Sequence, residues 1–545
     1  TNVFREVFGR TIDSTDPLSL FAGRPVTGAW TLRLEDGGGF LDGRVTSWAL
    51  VAEPEAPRLV RLDTVPSRFL PSVARNTGRF GSFFSSDVVL FNPHNEPADV
   101  TLSFLSSGSA PEHGVAVDVR LGPRATRTLT DVVGNAFRSS GYGPVRVDGP
   151  DHVVVSSRTR TTAPGGGTYG LFVPPMPEAN AAGVSDPSTY LAPVFSPDGA
   201  RVNVGLAEVS GGEANIEIMV RDGRGSIKAR YALTLGPFES RQVSDIHAAS
   251  GLLQLSNHIH AAASAAPAAD DLFEVRILSG PGRVASWAIA VDNGSNDGLL
   301  VGASRPRRDA FLPAAARSPG KFGACFRTDL KLSNPWTSPT SVRFSFFPSR
   351  GAAPRQLVLS LGAFETRLFA DVLGSLLGLP EDSAGALRIT ALGEGPGLIA
   401  SSRTYTEEPG KSYGLAIGVL DDAEAEPGDE AALTFLSGSL RTRTNLGFLE
   451  TRGLETVAEV TLFDAAGSIL GTRELTLQPF QAVQWNDVFA QMDVPPSEEA
   501  SATVNVARGG ALLVHATRVD NATNDGSFLP ARVARSRPIT PASGR

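Results

Sequence analysis

The sequence predicts an all-β protein built as a tandem array of β-sandwich domains, and three observations carry that prediction. A two-domain unit recurs at a spacing of 242 residues: Phe69-Leu70-Pro71 returns as Phe311-Leu312-Pro313, Asn92-Pro93 as Asn334-Pro335, and Asn203-Val204-Gly205 as Asn445-Leu446-Gly447. Within each unit apolar and polar residues alternate with a period of two, which places one face of a strand in a core and the other in solvent. The 57 glycines and 39 prolines supply the turns that many short strands need.

The order of the repeats is A-B-A′-B′. A and B are themselves related, since each opens on a Leu/Phe-Pro segment and places an Asn near its first strong strand. Each then makes a Leu-Gly-Pro-type turn followed by an Asp. The turn is Leu121-Gly122-Pro123-Arg124 in A, Leu235-Gly236-Pro237-Phe238 in B, Leu361-Gly362-Ala363-Phe364 in A′ and Leu477-Gln478-Pro479-Phe480 in B′. Four cousins of roughly 110 residues, the size of one sandwich, are expected at 67–177, 188–305, 309–420 and 432–533. A tail occupies 534–545.

The strands are justified one by one. Val100, Leu102 and Phe104 alternate with Thr101 and Ser103; Ile216, Ile218 and Val220, Val342, Phe344 and Phe346, and Ala458, Val460 and Leu462 repeat the pattern. Each run ends in turn chemistry, such as Ser107-Gly108 or Asp222-Gly223. A short helix is expected after the Leu-Gly-Pro turn, where Thr130, Ser244 and Asn486 precede Asp131, Asp245 and Asp487 as N-caps. A′ has Ala370 before Asp371, so its helix, running through Leu373, Leu376 and Leu377, is expected to lack the cap and to depend on packing. The repeated Asp is read as an acidic group facing the free amides of a first helical turn, with a catalytic role the weaker alternative. Copy B carries an Ala-rich insertion around His258 to Asp271, which reads as a surface loop.

Composition narrows the function classes. A net charge of −8, with 49 Lys and Arg dispersed among 57 Asp and Glu, lacks the basic stripe that phosphate binding requires, so no nucleic-acid partner is expected. No run approaches 18 uninterrupted apolar residues, so no membrane insertion is expected. The single cysteine, Cys325, excludes an intrachain disulfide framework and a cysteine-rich zinc site. The sequence opens at Thr1 inside a domain-like pattern and is expected to be truncated there.

Motifs that activate a nucleophile or hold a cofactor are missing, so no catalytic or cofactor-binding residue is assigned. His258 and His260 share one face of a strand but lack a third ligand, which argues for loop histidines over a metal site. Gly165 to Gly170 has the dinucleotide-loop spacing but follows Pro164 and precedes the strand-like Leu171-Phe172-Val173, so it reads as a loop. Asp292 to Gly298 and Asp520 to Gly526 both keep Asp, Asn and Asp oxygens. They read foremost as hairpin tips; calcium held by Asp292, Asn296, Asp297, Asp520, Asn524 and Asp525 is the weaker alternative, because the helix-loop-helix calcium pattern is not met. Ser156-Ser157-Arg158-Thr159 of A returns as Ser401-Ser402-Arg403-Thr404 in A′. With Tyr169 and Tyr413 downstream, Arg158 and Arg403 are candidate surface-binding residues, weighed against repetition of core geometry.

Residues 15 to 52 carry a resemblance. Phe21-Ala22-Gly23, Gly28-Ala29-Trp30-Thr31-Leu32, Asp36, Asp42-Gly43 and Trp48-Ala49-Leu50 resemble the C-terminal half of the P domain that follows subtilisin-like proprotein convertases. The resemblance implies a partial jelly-roll sandwich over 1–53 and a protease or other secreted catalytic domain upstream of Thr1. The repeats that follow resemble tandem Ig-like modules of secreted bacterial proteins. The leading expectation is a non-catalytic accessory, spacer or surface-binding region, extracellular or at the cell surface, with an extracellular protein or glycan surface as partner. The C-terminal region of an exported subtilisin-like serine peptidase and a calcium-stiffened stalk are the alternatives.

Overall fold

The computed structural model describes residues 3–5, 11–13, 57–62, 68–108, 113–248, 266–349, 354–420 and 424–535. The segment resembling a P domain, along with His258 and His260, lies outside the described residues. The four repeats fold as all-antiparallel sandwiches on one eight-strand plan, to which A adds Arg58–Arg61 and Met176–Pro177 and B′ adds Arg532–Ala534.

In A the strands are β1 (Arg68–Thr77), β2 (Phe83–Phe91), β3 (Ala98–Phe104), β4 (His113–Leu121), β5 (Thr126–Leu129), β6 (Gly141–Asp148), β7 (Val154–Thr162) and β8 (Thr168–Val173). In B they are β9 (Thr189–Leu191), β10 (Ala200–Glu208), β11 (Ala214–Arg221), β12 (Ile227–Leu235), β13 (Ser240–Val243), β14 (Leu272–Ser279), β15 (Val284–Asp292) and β16 (Gly298–Gly302). A′ comprises β17 (Asp309–Pro319), β18 (Cys325–Ser333), β19 (Thr340–Pro348), β20 (Arg355–Leu361), β21 (Thr366–Phe369), β22 (Ser383–Ala391), β23 (Ile399–Glu408) and β24 (Lys411–Gly418). B′ comprises β25 (Glu430–Leu436), β26 (Thr442–Glu450), β27 (Thr456–Asp464), β28 (Ile469–Leu477), β29 (Ala482–Trp485), β30 (Ala500–Arg508), β31 (Leu512–Asp520) and β32 (Gly526–Pro530).

B shows the plan most plainly, as two sheets in the orders β9-β14-β11-β12 and β13-β10-β15-β16. In A and A′ the long first strand joins the two sheets. Arg68 to Arg75 of β1 pair with β6, and Arg75 to Thr77 pair with β2. The register of β1 slips between Leu70 and Val73, and that of β17 between Leu312 and Ala315. The slips hold Pro71 and Pro313, and a bulge is where a strand tolerates a residue with no N–H to give. The repeated Phe-Leu-Pro is therefore a bulge signal.

The repeated Asn-x-Gly has an equally local cause. Asn203 and Asn445 accept the backbone N–H of Asp245 and Asp487 at 2.9 and 3.0 Å, the role that Asp87 and Asp329 play for Asp131 and Asp371. A Cβ on Gly205 would lie 2.1 Å from the Trp287 ring, and one on Gly447 2.1 Å from the His515 ring, so only glycine clears the aromatic residue on the next strand.

One correction concerns the caps. The short helices α1 (Val132–Asn135) and α2 (Val372–Ser375) are capped by Asp131 and Asp371 themselves, whose side chains accept the N–H of Gly134 and Gly374. A′ therefore has its cap, because the αL backbone of Asp371 turns its own carboxylate onto the helix and the identity of residue 370 does not matter. In B′, α3 (Val488–Gln491) has no side-chain cap bond, and B forms only a turn after Asp245.

Each sandwich encloses its own apolar core, with Leu70, Leu90, Leu102 and Val145 fully buried in A and Leu446, Val460, Leu477 and Val504 in B′. Burial of each such side chain contributes about 1.5–3 kcal/mol. The core of A continues into B through Phe238 and Trp287. Phe311 and Phe347 of A′ pack with Leu449 and Ala482 of B′ in the corresponding place.

The four modules close into a ring. Ser240 of B accepts the N–H of Gly108 of A at 2.9 Å, and Gly223 of B accepts that of Thr366 of A′ at 2.9 Å. Phe347 of A′ stacks on Phe480 of B′ with ring centroids 5.3 Å apart. Ala465 of B′ accepts the N–H of Thr126 of A at 3.0 Å, completing the circuit. The joint from B to A′ uses the same turns as the joint from B′ to A, so the ring has an approximate two-fold axis.

Candidate functional site

The residues singled out in the sequence meet at the middle of this ring. The edge strands of all four modules converge there: β8 lies against β16 and β32, and β24 against the same two. An edge strand carries unpaired backbone donors, and burying it calls for acceptors from a neighbour. The Asp-Asn loops of B and B′ supply them.

At the A–B′ joint, Asp520 Oδ2 accepts Thr168 N at 2.9 Å and Thr168 Oγ1 at 3.0 Å. Asp525 Oδ2 accepts Gly170 N at 3.0 Å and Arg158 Nη2 at 2.9 Å. The A′–B joint repeats this almost bond for bond. Asp292 Oδ2 accepts Ser412 N at 3.1 Å and Ser412 Oγ at 2.8 Å, and Asp297 Oδ2 accepts Gly414 N at 2.9 Å. Ser295 and Thr523 each donate a hydroxyl across the joint, to Ser412 O at 2.9 Å and Thr168 O at 3.0 Å.

The loops are shaped for this by their own composition. Asp292 Oδ1 accepts the N–H of Gly294 and Ser295, and Asp520 Oδ1 those of Ala522 and Thr523, each closing a turn. Asn296 and Asn524 then adopt φ of 60° and 58°, a conformation that Asn tolerates better than most residues. The triglycine hairpin tip of A fits closely, since a Cβ on Gly167 would lie 2.6 Å from Asp520 Oδ1.

At the two-fold axis the rings of Tyr169 and Tyr413 touch, with centroids 5.4 Å apart. Lys411 Nζ lies 3.3 Å from Tyr169 Oη and 2.9 Å from Glu408, and Tyr413 Oη donates to Glu408 at 2.5 Å. Burial, foremost, raises the pKa of both phenols, and the bond to Glu408 raises that of Lys411. Burial also drives Asp297 up to about 7 and raises Asp525 well above the carboxylate range.

Arg158, Tyr169, Arg403 and Tyr413, candidates for surface binding, are therefore 7, 4, 7 and 5 % exposed, which withdraws them from any external surface. Arg158, Tyr169 and Tyr413 contact other modules of the same chain. The calcium alternative for Asp292, Asn296, Asp297, Asp520, Asn524 and Asp525 fares no better on donor chemistry. The Asn296 and Asn524 carbonyls accept from the guanidinium groups of Arg201 and Arg443 at 3.3 and 3.2 Å, and a resident cation there repels a second. Among the described residues no group of three His, Cys, Asp or Glu side chains is placed to hold a metal.

Some structural anchors carried no motif. Glu208 and Glu450 are fully buried, each accepting backbone N–H groups from a turn and from the following Phe, Phe238 at 2.9 Å and Phe480 at 2.8 Å. Their spacing of 242 was the only available signal. Lys331 of A′ is completely buried and donates to Pro193 O and Asp271 O of B at 2.5 and 3.0 Å. Burial pushes its pKa down to about 7. In A the matching residue is Val89, so repetition hid it.

Elsewhere two clefts of about 290 and 250 Å³ indent the surface. Of the arginines lining the larger, Arg388 pairs with Asp309, Arg452 pairs with Glu424, and Arg308 donates to the Gly393 and Gly395 carbonyls.

No protein-family model matches the chain, and no curated protein matches it. Among solved structures, a tetra-tandem repeat in the extending region of a large adhesion protein is similar at 11% identity. It covers 81% of this chain and 92% of that chain with a TM-score of 0.10. So low a score carries no argument about arrangement or role. No helix among the described residues is long and apolar enough to cross a membrane.

Proposed function

We propose that the chain is a non-catalytic accessory region of a secreted bacterial protein, acting at the cell surface or outside the cell as a preassembled block that spaces or presents a neighbouring domain. The observation that carries this is the spending of the type-specific polar groups on one another. The Arg158 strand of A and the Asp520 loop of B′ form one joint, and their counterparts in A′ and B form another. Residues so used are not available to hold a substrate, and the surface left over is that of a scaffold.

The experiment is replacement within the parent polypeptide. Deleting residues 68–535 is expected to impair display or folding of the neighbouring domain, and an unrelated rigid domain of similar size is expected to restore it. Failure of the substitute, with rescue only by the native block, contradicts a spacer role and points to specific binding of an extracellular protein or glycan.

The second reading, an exported subtilisin-like peptidase with its catalytic domain upstream, rests on the P-domain resemblance of residues 15 to 52. An upstream reading frame encoding catalytic Asp, His and Ser segments supports it; a frame without them removes it.

A further inference from the structure

Asp297 and Asp525 enter the middle of the ring from opposite sides, one from B and one from B′. Both side chains are 1 % exposed. Each uses Oδ2 on the edge strand it caps, while Oδ1 of each is buried with no donor. Asp297 is the charged neighbour that acts most strongly on Asp525. Two carboxylates with bare oxygens in a dry site cannot both stay ionised, whereas a carboxylic acid facing a carboxylate satisfies both oxygens with one O–H.

None of the groups around the pair donates to either Oδ1. Arg158, on β7, spends Nη2 on Asp525 Oδ2, Nη1 on Thr168 and Nε on Ser527. Arg403, on β23, lends Asp297 a favourable charge and donates through Nη2 to Ser412 Oγ, while its Nε is buried without an acceptor. Asp292, on β15, adds repulsion at Asp297. Tyr169, on β8, feels Asp297, and Tyr413, on β24, feels Asp525; the Tyr413 hydroxyl is committed to Glu408.

We propose that Asp297 and Asp525 share a single proton across the two-fold axis, and that this proton is a pH-sensitive latch on closure of the ring. Protonated, the pair bonds B to B′ through the hub. Ionised, it sets two like charges against each other where four edge strands meet. The folded-state affinity for this proton exceeds that of a free carboxyl, so the stabilisation is full only below the ordinary carboxyl range, falls as the pH rises from there, and is gone above about 7. Between the ordinary carboxyl range and that midpoint each pH unit shifts the closed-to-open ratio by about tenfold, and above the midpoint the ratio levels off.

The test compares the whole chain with Asp297→Asn and Asp525→Asn between about pH 5.5 and 8.5, where the shared proton is released. In either variant the amide N–H replaces the shared proton as the donor, so the difference from wild type isolates this pair from other titrating groups. Wild type is expected to lose thermal stability relative to both variants as the pH rises, with the variants the more stable at the alkaline end. Identical pH slopes for all three overturn the proposal. Should the variants fail to fold, infrared spectra of wild type decide: a buried protonated-carboxyl band present near pH 6 and gone by about pH 8.5 supports the latch, and its absence near pH 6 refutes it.

Discussion

Arg158 and Arg403 occupy the same position in A and A′, yet the hub treats them differently. Arg158 reaches Asp525, Thr168 and Ser527, whereas Arg403 Nε is buried without an acceptor. At Nε the difference traces to one substitution between the B copies, Ser527 in B′ against Leu299 in B. Removing one member of a buried pair strands the other, so Arg158→Ala is expected to cost about 3–5 kcal/mol. Arg403→Ala forfeits one hydrogen bond to Ser412 and a stacking contact over Tyr405 at 4.7 Å, about 1–3 kcal/mol. Denaturant unfolding measures both, and equal losses would contradict the asymmetry. The sequence marked both arginines as type-specific, because their tetrapeptide recurs in A copies alone. Their partners were not legible, since Asp525 lies 367 residues away from Arg158 and alternation reports only local geometry.

Turns were the most legible elements, because their chemistry is local. Asp222-Gly223 and Asp464 to Gly467 mark hairpins where the alternation ends, whereas Phe-Leu-Pro marked the repeat and its bulges at Pro71 and Pro313 emerged only with the strand pairing. The cap of A′ was misread because an αL Asp that caps with its own side chain shifts the motif by one residue. Whether a turn also builds a joint was hidden. Gly467 and Gly323 have φ of 89° and 81°, but a Cβ on Gly467 would sit 2.4 Å from Pro123 O of A while one on Gly323 meets nothing within 4 Å. Gly323→Ala is expected to cost about 1–2 kcal/mol for the left-handed backbone. Gly467→Ala should cost a further ~1–3 kcal/mol, since the obstacle is backbone and the B′–A joint must shift. Thermal melts of the two variants check this, and matching melting temperatures would place Gly467 outside any joint.

At the scale of the molecule, four related sandwiches became a ring because their type-specific segments are complementary to one another. The sequence showed four modules in alternating order and did not show that A and B′, remote in the chain, are neighbours. A string of modules and a closed block share every local pattern, and they differ only in docking. Alternation of the two types is what closure needs: each A presents an edge strand and each B presents a carboxylate loop, so every A lies between two B modules. Such a block exposes no sheet edge at its centre, which protects it from edge-to-edge association.

Small-angle X-ray scattering of the chain in solution tests closure most directly. A compact body of this length has a radius of gyration of about 24 Å, and four sandwiches in an open line have roughly twice that. The ring predicts a value near the first figure with a distance distribution that falls off symmetrically. A value near the second, with a long tail of large distances, would contradict it.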